Sequence, residues 1–254
     1  MKNLIVLGDK MKYNNILIFS DNPPLLKGLL KILRDKKLDK LINVKIASSH
    51  LSDITIDSVN VEKINIKENI DYLIEKFDLI ISAHCKQIFP QELIDNVKCI
   101  NIHPGLNPFN RGWFPQVFSI INKLPVGATI HEMDNEVDHG PIIIQKEVPI
   151  YSYDTSETIY NRILETEQIL FENVIENILH DKYEMTIPMN EGNVNWKKDF
   201  NDMCQINIKE TYSGQEFIDL LRALTHGNYN NAYFYDDDGN KIYMKIILQK
   251  EHIE

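Results

Sequence analysis

Short uninterrupted apolar runs alternate along the chain with stretches whose apolar residues recur every three or four positions. That alternation predicts an α/β fold built on a mostly parallel sheet. Ile16-Leu17-Ile18-Phe19 reads as the first core strand. Ser20-Asp21-Asn22-Pro23 is a helix-start cluster, and Leu25, Leu26, Leu29, Leu30 and Leu33 follow at helical spacing. Val44 to Ala47 returns as a strand and completes a βαβ unit. The polar stretch 49–62 predicts a loop, Asn69 to Phe77 a short helix, and Asp78 to Ala83 and Val97 to Ile102 two buried strands. Phe114 to Ile121 fits a helix. Val126 to Met133 and Ile142 to Val148 fit two more strands, and 155–180 a long amphipathic helix. The earlier run Leu4 to Leu7 is either an extra edge strand or an extension.

After His180 the texture changes. Asp181 to Asp202 has few periodic apolar residues and reads as a linker. Beyond it come a helix, Gly214 to Leu224, and a hairpin in which Asp236 to Asn240 joins Ala232–Tyr235 to Lys241–Leu248. The chain therefore divides into a larger α/β domain over 1–190 and a small helix and β-hairpin module over 191–254.

Length and charge narrow the classes. A chain of 254 residues buries a full core. A formal net charge of −10 argues against an extended nucleic-acid surface, which needs a basic stripe. Cys85, Cys99 and Cys204 are odd in number and lack metal-ligand spacing, so neither a disulfide framework nor a metal site is expected. No apolar run approaches the roughly 18 residues of a membrane helix, and no secretory leader opens the chain. The expected setting is a reduced cytoplasm.

The chemistry concentrates at Asn101-Ile102-His103-Pro104-Gly105-Leu106 and, thirty-five residues after the histidine, at Asp138-His139-Gly140-Pro141. Asn101 and His103 sit at i and i+2, so a strand ending there points both to one side. Pro104-Gly105 turns the chain away and leaves them at the strand's C-terminal mouth, where open α/β sheets bind ligands. N-x-H-P-G-L, then Gly127-Ala128-Thr129-Ile130-His131, then D-x-G-P, resembles the folate-dependent formyltransferases over about residues 15–180.

The resemblance implies a Rossmann-like formyltransferase domain using 10-formyltetrahydrofolate, with Asn101, His103 and Asp138 as the catalytic triad. Asn101 and a protonated His103 would polarise the formyl carbonyl, and Asp138 would raise the histidine pKa and hold a proton-relaying water. His131, on the neighbouring strand, is given no catalytic role. Ile81 to Pro90 resembles the family's pterin loop, which makes Lys86, Gln87, Ile88, Phe89 and, from the D-x-G-P turn, Gly140 donor-binding candidates; core packing is an equal reading for Ile88 and Phe89. Cys85 has no partner base at a recognisable spacing and reads as structural.

Asn110-Arg111-Gly112-Trp113-Phe114-Pro115-Gln116 precedes a predicted helix and offers an anion-and-ring platform. It resembles the branch acting on nucleotide-linked amino sugars, as do Asn195-Trp196-Lys197 and the Phe217 to Leu224 helix, though more weakly. Arg111, Trp113, Gln116, Asn195, Trp196 and Lys197 are therefore the substrate-binding candidates. Tyr229, Tyr233 and Tyr235 fit either base stacking or hairpin packing. The implied acceptor is a dTDP-linked amino-dideoxy sugar, foremost dTDP-4-amino-4,6-dideoxyglucose, for a surface polysaccharide, and the implied assembly a homodimer through the C-terminal hairpin. A 3-amino sugar is the nearest alternative. A methionyl-tRNA formyltransferase is a poorer one for so acidic a chain, and a silent binding relative has no reason to keep all three triad residues.

Overall fold

A computed structural model describes residues 10–56 and 59–251; the Leu4 to Leu7 run lies outside them. The parallel part of the sheet consists of β1 (Asn15–Ser20), β2 (Asn43–Ser49), β3 (Val61–Ile64), β4 (Leu79–Ala83) and β5 (Lys98–His103). Two antiparallel strands, β7 (Val126–Glu132) and β8 (Ile142–Val148), complete the spatial order β3-β2-β1-β4-β5-β7-β8. Between β5 and β7 lies a two-residue strand, β6 (Arg111–Gly112), outside the main sheet.

Helices cover both faces, which is why β1 and β4 carry the apolar runs Ile16–Phe19 and Leu79–Ile81 and are almost wholly buried. On one face α1 (Pro23–Asp35) and α5 (Ser156–Leu179) enclose a core containing Ile18, Leu26, Leu29, Ile81, Ile100, Ile163 and Phe171. On the other, α2 (Ile70–Lys76) and α3 (Gln91–Asn96) cover Leu17, Phe19, Ile80, Phe89 and Leu93. The sequence places α1 correctly because its start is chemically marked: Asn22 Oδ1 accepts the Leu25 N–H at 3.0 Å, with proline in the first turn.

The segment 181–202 departs from expectation. It is not a linker: β9 (Val194–Asn195) pairs in parallel with β6, and α6 (Lys197–Cys204) follows at once. It lacks a helical apolar stripe because backbone pairing and asparagine side chains hold it down. Asn110 Oδ1 accepts from Asn122, Asn193 and Asn195, and Asn110 Nδ2 donates to Ser119 at 3.0 Å. The final hairpin is shorter than predicted, β10 (Tyr233–Tyr235) against β11 (Lys241–Tyr243), with 244–251 outside regular structure. At the other end of the described chain, Lys12 and Tyr13 donate their N–H groups to the Leu179 carbonyl, so 10–13 packs on the end of α5 rather than adding an edge strand.

The C-terminal part docks through α4 (Pro115–Asn122) and α7 (Gly214–Leu224). Ser213 and Glu216 cap α7 reciprocally, at 3.2 and 2.8 Å. Its buried Asp219 binds Arg222 Nε at 2.6 Å and Lys123, while Arg222 Nη1 reaches the carbonyls of Tyr151 and Asp154 at 3.1 Å each. Removing the carboxylate strands a buried guanidinium. Asp219→Ala is expected to lower the urea midpoint by an amount corresponding to about 3 kcal/mol, whereas Asp237→Ala, in the exposed turn, leaves it unchanged.

Candidate active site

The site is assembled where β5 meets β7. Their antiparallel register sets Asn101 opposite His131 and His103 opposite Thr129. Alternation in each strand then brings all four side chains to one side of the sheet. Thr129 ties the turn after β5 in place: its hydroxyl donates to the Gly105 carbonyl at 2.7 Å and accepts the Asn107 N–H at 3.1 Å. Gly105 has to be glycine, because a Cβ there would overlap His103 Nε2.

Asp138 swings over this group on a turn with φ +48°. Oδ1 accepts from Asn101 Nδ2 at 2.8 Å and lies 3.7 Å from His131 Nε2. Oδ2 accepts the Gly112 N–H at 3.0 Å and lies 3.4 Å from His103 Nδ1. Asn107 Nδ2 donates to the Asp138 carbonyl at 2.8 Å, and Arg111 Nη1 donates to the carbonyl of Val137 at 3.3 Å, bracing the same turn. The three predicted triad residues therefore do converge.

His131, denied a role from the sequence, belongs to the cluster. Its Nδ1 lies 2.7 Å from the Glu132 carbonyl, which can only accept, so Nδ1 carries the proton and Nε2 faces Asn101 Nδ2 at 3.4 Å. The signal was present: Thr129 and His131 repeat the i, i+2 polar alternation of Asn101 and His103, and antiparallel pairing turns the two sets toward each other.

Burial pushes the Asp138 carboxyl up, but the His103 and His131 rings and the Gly112 N–H together outweigh it, and its pKa falls below the ordinary carboxylate range. For His103 burial is the largest influence. The attraction of Asp138 opposes it without overcoming it, and His131, His84 and Arg111 add to the depression, leaving the pKa at about 4. The expected protonated His103 gives way to a neutral ring at pH 7. With Nδ1–H turned toward Asp138, its buried Nε2 has a free lone pair and no hydrogen-bond partner among the described residues. The chemistry available is proton acceptance at Nε2, and a turned Asn101 amide hydrogen, released from the long His131 contact, for a substrate oxygen.

The donor-loop candidates divide. Gln87 bridges strand ends, accepting the Ile66 N–H at 3.0 Å and donating to the Ile64 carbonyl at 2.8 Å. Phe89 packs edge-on against Phe19 in the core, and Gly140 abuts the Glu132 backbone. Lys86 is exposed, with its backbone N–H on Asp21 Oδ2 at 2.7 Å, and Ile88 stands 71% exposed. The Cys85 thiol is pushed far up by burial, which removes it as a nucleophile. On the acceptor side Gln116, Asn195 and Arg111 are buried. Trp113 is half-buried and Trp196 and Lys197 are exposed, with Lys197 Nζ 5.3 Å from the Trp113 ring centre. Gly112 joins the two halves: it has φ +88°, and a Cβ would come 2.5 Å from the Asn195 carbonyl. Tyr233 is engaged by Tyr235, Tyr243 and Lys241 within the hairpin, whereas Tyr229 is 68% exposed.

The family model described as formyl transferase matches residues 14–175, and one described as N-formyltransferase dimerization C-terminal domain matches residues 199–250. The chain belongs to the formyl transferase family. A dTDP-4-amino-4,6-dideoxyglucose formyltransferase of Mycobacterium tuberculosis is 44% identical over 191 residues, 75% of this chain and 82% of the relative. A sugar N-formyltransferase structure from Shewanella superposes with a TM-score of 0.90 at 41% identity, covering 94% of this chain and 99% of that one. A 4-N formyltransferase structure from Francisella tularensis gives 0.87 at 44% identity, covering 93% and 98%. No helix among the described residues is long and apolar enough to cross a membrane.

The neutral state of His103 sets a stability signature. Unfolded, the ring takes a proton below about pH 6.5; folded, it refuses one until about 4, so stability declines as pH falls through that window. Asp138, depressed in the fold, adds a loss in the same direction at still lower pH. Thermal melts of wild type and His103→Gln are expected to diverge on this point, the variant losing less Tm between pH 7 and pH 4.5.

Proposed function

We propose that the protein transfers the formyl group of 10-formyltetrahydrofolate to the amino group of a dTDP-linked amino-dideoxy sugar, foremost dTDP-4-amino-4,6-dideoxyglucose. The observation that carries this reading is the buried, unpartnered Nε2 of His103 beside an ionised Asp138 already held by Asn101 and Gly112. A formyl donor fits there: His103 Nε2 wants a partner, Gly105 leaves its approach open, and Ile88 offers an uncovered apolar side chain on the adjoining loop.

The bound donor supplies an activated formyl carbon. Asn101 presents its amide hydrogen toward the reacting oxygen. His103 Nε2 would take the proton that the attacking amine releases, Asp138 would steady the resulting imidazolium through Nδ1, and the same proton would pass to the departing folate nitrogen as the bond between it and the formyl carbon breaks. His131 orients Asn101 by accepting at Nε2 from its amide. Lys86 and Ile88 meet the donor, while Trp113, Trp196 and Lys197 meet the nucleotide, ring faces and a cation matching a base and a diphosphate. Arg111, Gln116 and Asn195 support that platform from beneath. The 4-amino position is favoured by the activity named for the 44%-identical relatives. Formylated sugars of this kind suit surface polysaccharides, made from nucleotide sugars in the cytoplasm.

Tetrahydrofolate release is expected with dTDP-4-amino-4,6-dideoxyglucose and to be far weaker with the 3-amino isomer; turnover confined to the 3-amino sugar would reverse the assignment. His103→Ala is expected to lower kcat about a thousandfold with the melt near wild type. Asp138→Asn is the isosteric companion, because truncating so many bonds would also weaken the fold. Undiminished transfer in both variants would refute the proton path.

We infer further that two copies associate through the C-terminal module, whose hairpin leaves Tyr235, Ile242 and Tyr243 partly exposed. Light scattering is expected to give a dimer mass for the wild type and a monomer mass for Tyr243→Asp with Ile242→Asp.

A further inference from the structure

The boundary between β1 and β4 is the topological switch point of the sheet: β2 lies to one side of β1 and β4 to the other. Open α/β sheets usually place a ligand in that crevice. Here a polar network occupies it. Because Asn22 Oδ1 is committed to capping α1, Asn22 Nδ2 has to face inward, 2.6 Å from the Tyr160 hydroxyl and 3.1 Å from His84 Nδ1. The Tyr160 hydroxyl is also 3.0 Å from His84 Nδ1, and His84 Nε2 is 2.7 Å from Glu167 Oε1.

The hydrogens follow from the donors. Asn22 gives one to the Tyr160 oxygen, Tyr160 gives its own to His84 Nδ1, and His84 gives its Nε2 proton to Glu167. Glu167 is completely buried, and its second oxygen has no partner among the described residues. A buried carboxylate with one hydrogen bond is costly to keep, and its neighbour His84 has φ +59°, a conformation that non-glycine residues rarely adopt. Side chains from two elements, the start of α1 and two turns of α5, thus converge on the residue that precedes the loop Cys85–Pro90. The next anchor of that loop lies beside it, Lys86 N–H on Asp21 Oδ2, with Asp21 Oδ1 accepting the Ser49 N–H at 2.9 Å. The network also reaches the C-terminal part, since Tyr160 stacks edge-on with His226 and Ser156 donates to the Thr225 carbonyl at 2.9 Å.

We propose that His84 is a positioning residue for the formyl donor: the Asn22–Tyr160–His84–Glu167 network closes the switch-point crevice and fixes the Cys85–Pro90 loop in its donor-receiving shape. The proposal rests on the donor reading given above. His84 acts through the loop that follows it and does not itself enter the reaction.

The test combines steady-state kinetics with calorimetric binding of 5-formyltetrahydrofolate, a stable donor analogue, to wild type, His84→Leu, His84→Gln and Tyr160→Phe. His84→Leu is expected to raise the donor KM and the analogue Kd about tenfold, with kcat and the amino-sugar KM little changed. His84→Gln, which keeps a polar link to Glu167, is expected to recover part of the loss, and Tyr160→Phe, which removes one hydroxyl and keeps the ring, to show a smaller loss. A role in packing alone would lower Tm without moving the donor KM, or would move both KM values together; either result overturns the proposal. Should His84→Leu fail to fold, Tyr160→Phe decides it: an unchanged analogue Kd there overturns it too. Wild type that binds no analogue at all would overturn the donor reading itself, a failure distinct from one in which wild type and variants bind equally.

Discussion

A single ionised carboxylate, largely removed from water, organises this molecule. Asp138 cannot be buried without donors, and they come from two pieces of chain: Asn101 and the His103 Nδ1–H on β5, and the backbone of β6. The cost of leaving such a charge unpaired is several kcal/mol, so the turn that carries it is worth holding tightly. Asn107 and Arg111 do the holding through its backbone carbonyls. The unpartnered Nε2 of His103 is a by-product of the same arrangement, since the carboxylate lies at Nδ1 and leaves the opposite edge of the imidazole open.

Much of this was legible in the order of residues because it depends on local rules. The buried parallel strands announced themselves as apolar runs, and α1 by its Asn-Pro start. Asn101 and His103 were found because i, i+2 spacing on a strand is a geometric statement. His131 was passed over because its meaning lies in a pairing between strands, and register is not written in either strand alone. The protonation of His103 was misjudged for a related reason. Its carboxylate neighbour could be read from motif order, whereas the depth of burial that outweighs it is a property of the finished core.

The stretch from Asp181 to Cys204 shows the same limit from another direction. Periodicity detects segments that fold by burying a stripe of side chains. This one is fastened by backbone pairing to Arg111–Gly112 and by amides gathered on Asn110, so it carries no stripe to detect. The candidates Trp113 and Lys197, far apart in sequence, meet only because that fastening brings them together.

Gly112 therefore deserves to be seen as a hinge pin rather than a spacer. Its N–H serves Asp138, and its backbone lies flush against the Asn195 carbonyl. In both contacts Gly112 contributes main-chain atoms, while the Asn193 and Asn195 amides on Asn110 fasten the same stretch from the side. What it does depend on is arc length. The path from the end of α5 back to β9 has to deliver its peptide groups in phase with those of β6. Apart from the asparagines that meet Asn110, the path is constrained by length more than by composition: a gain or loss of a single residue near β9 would shift the phase and be felt at the carboxylate.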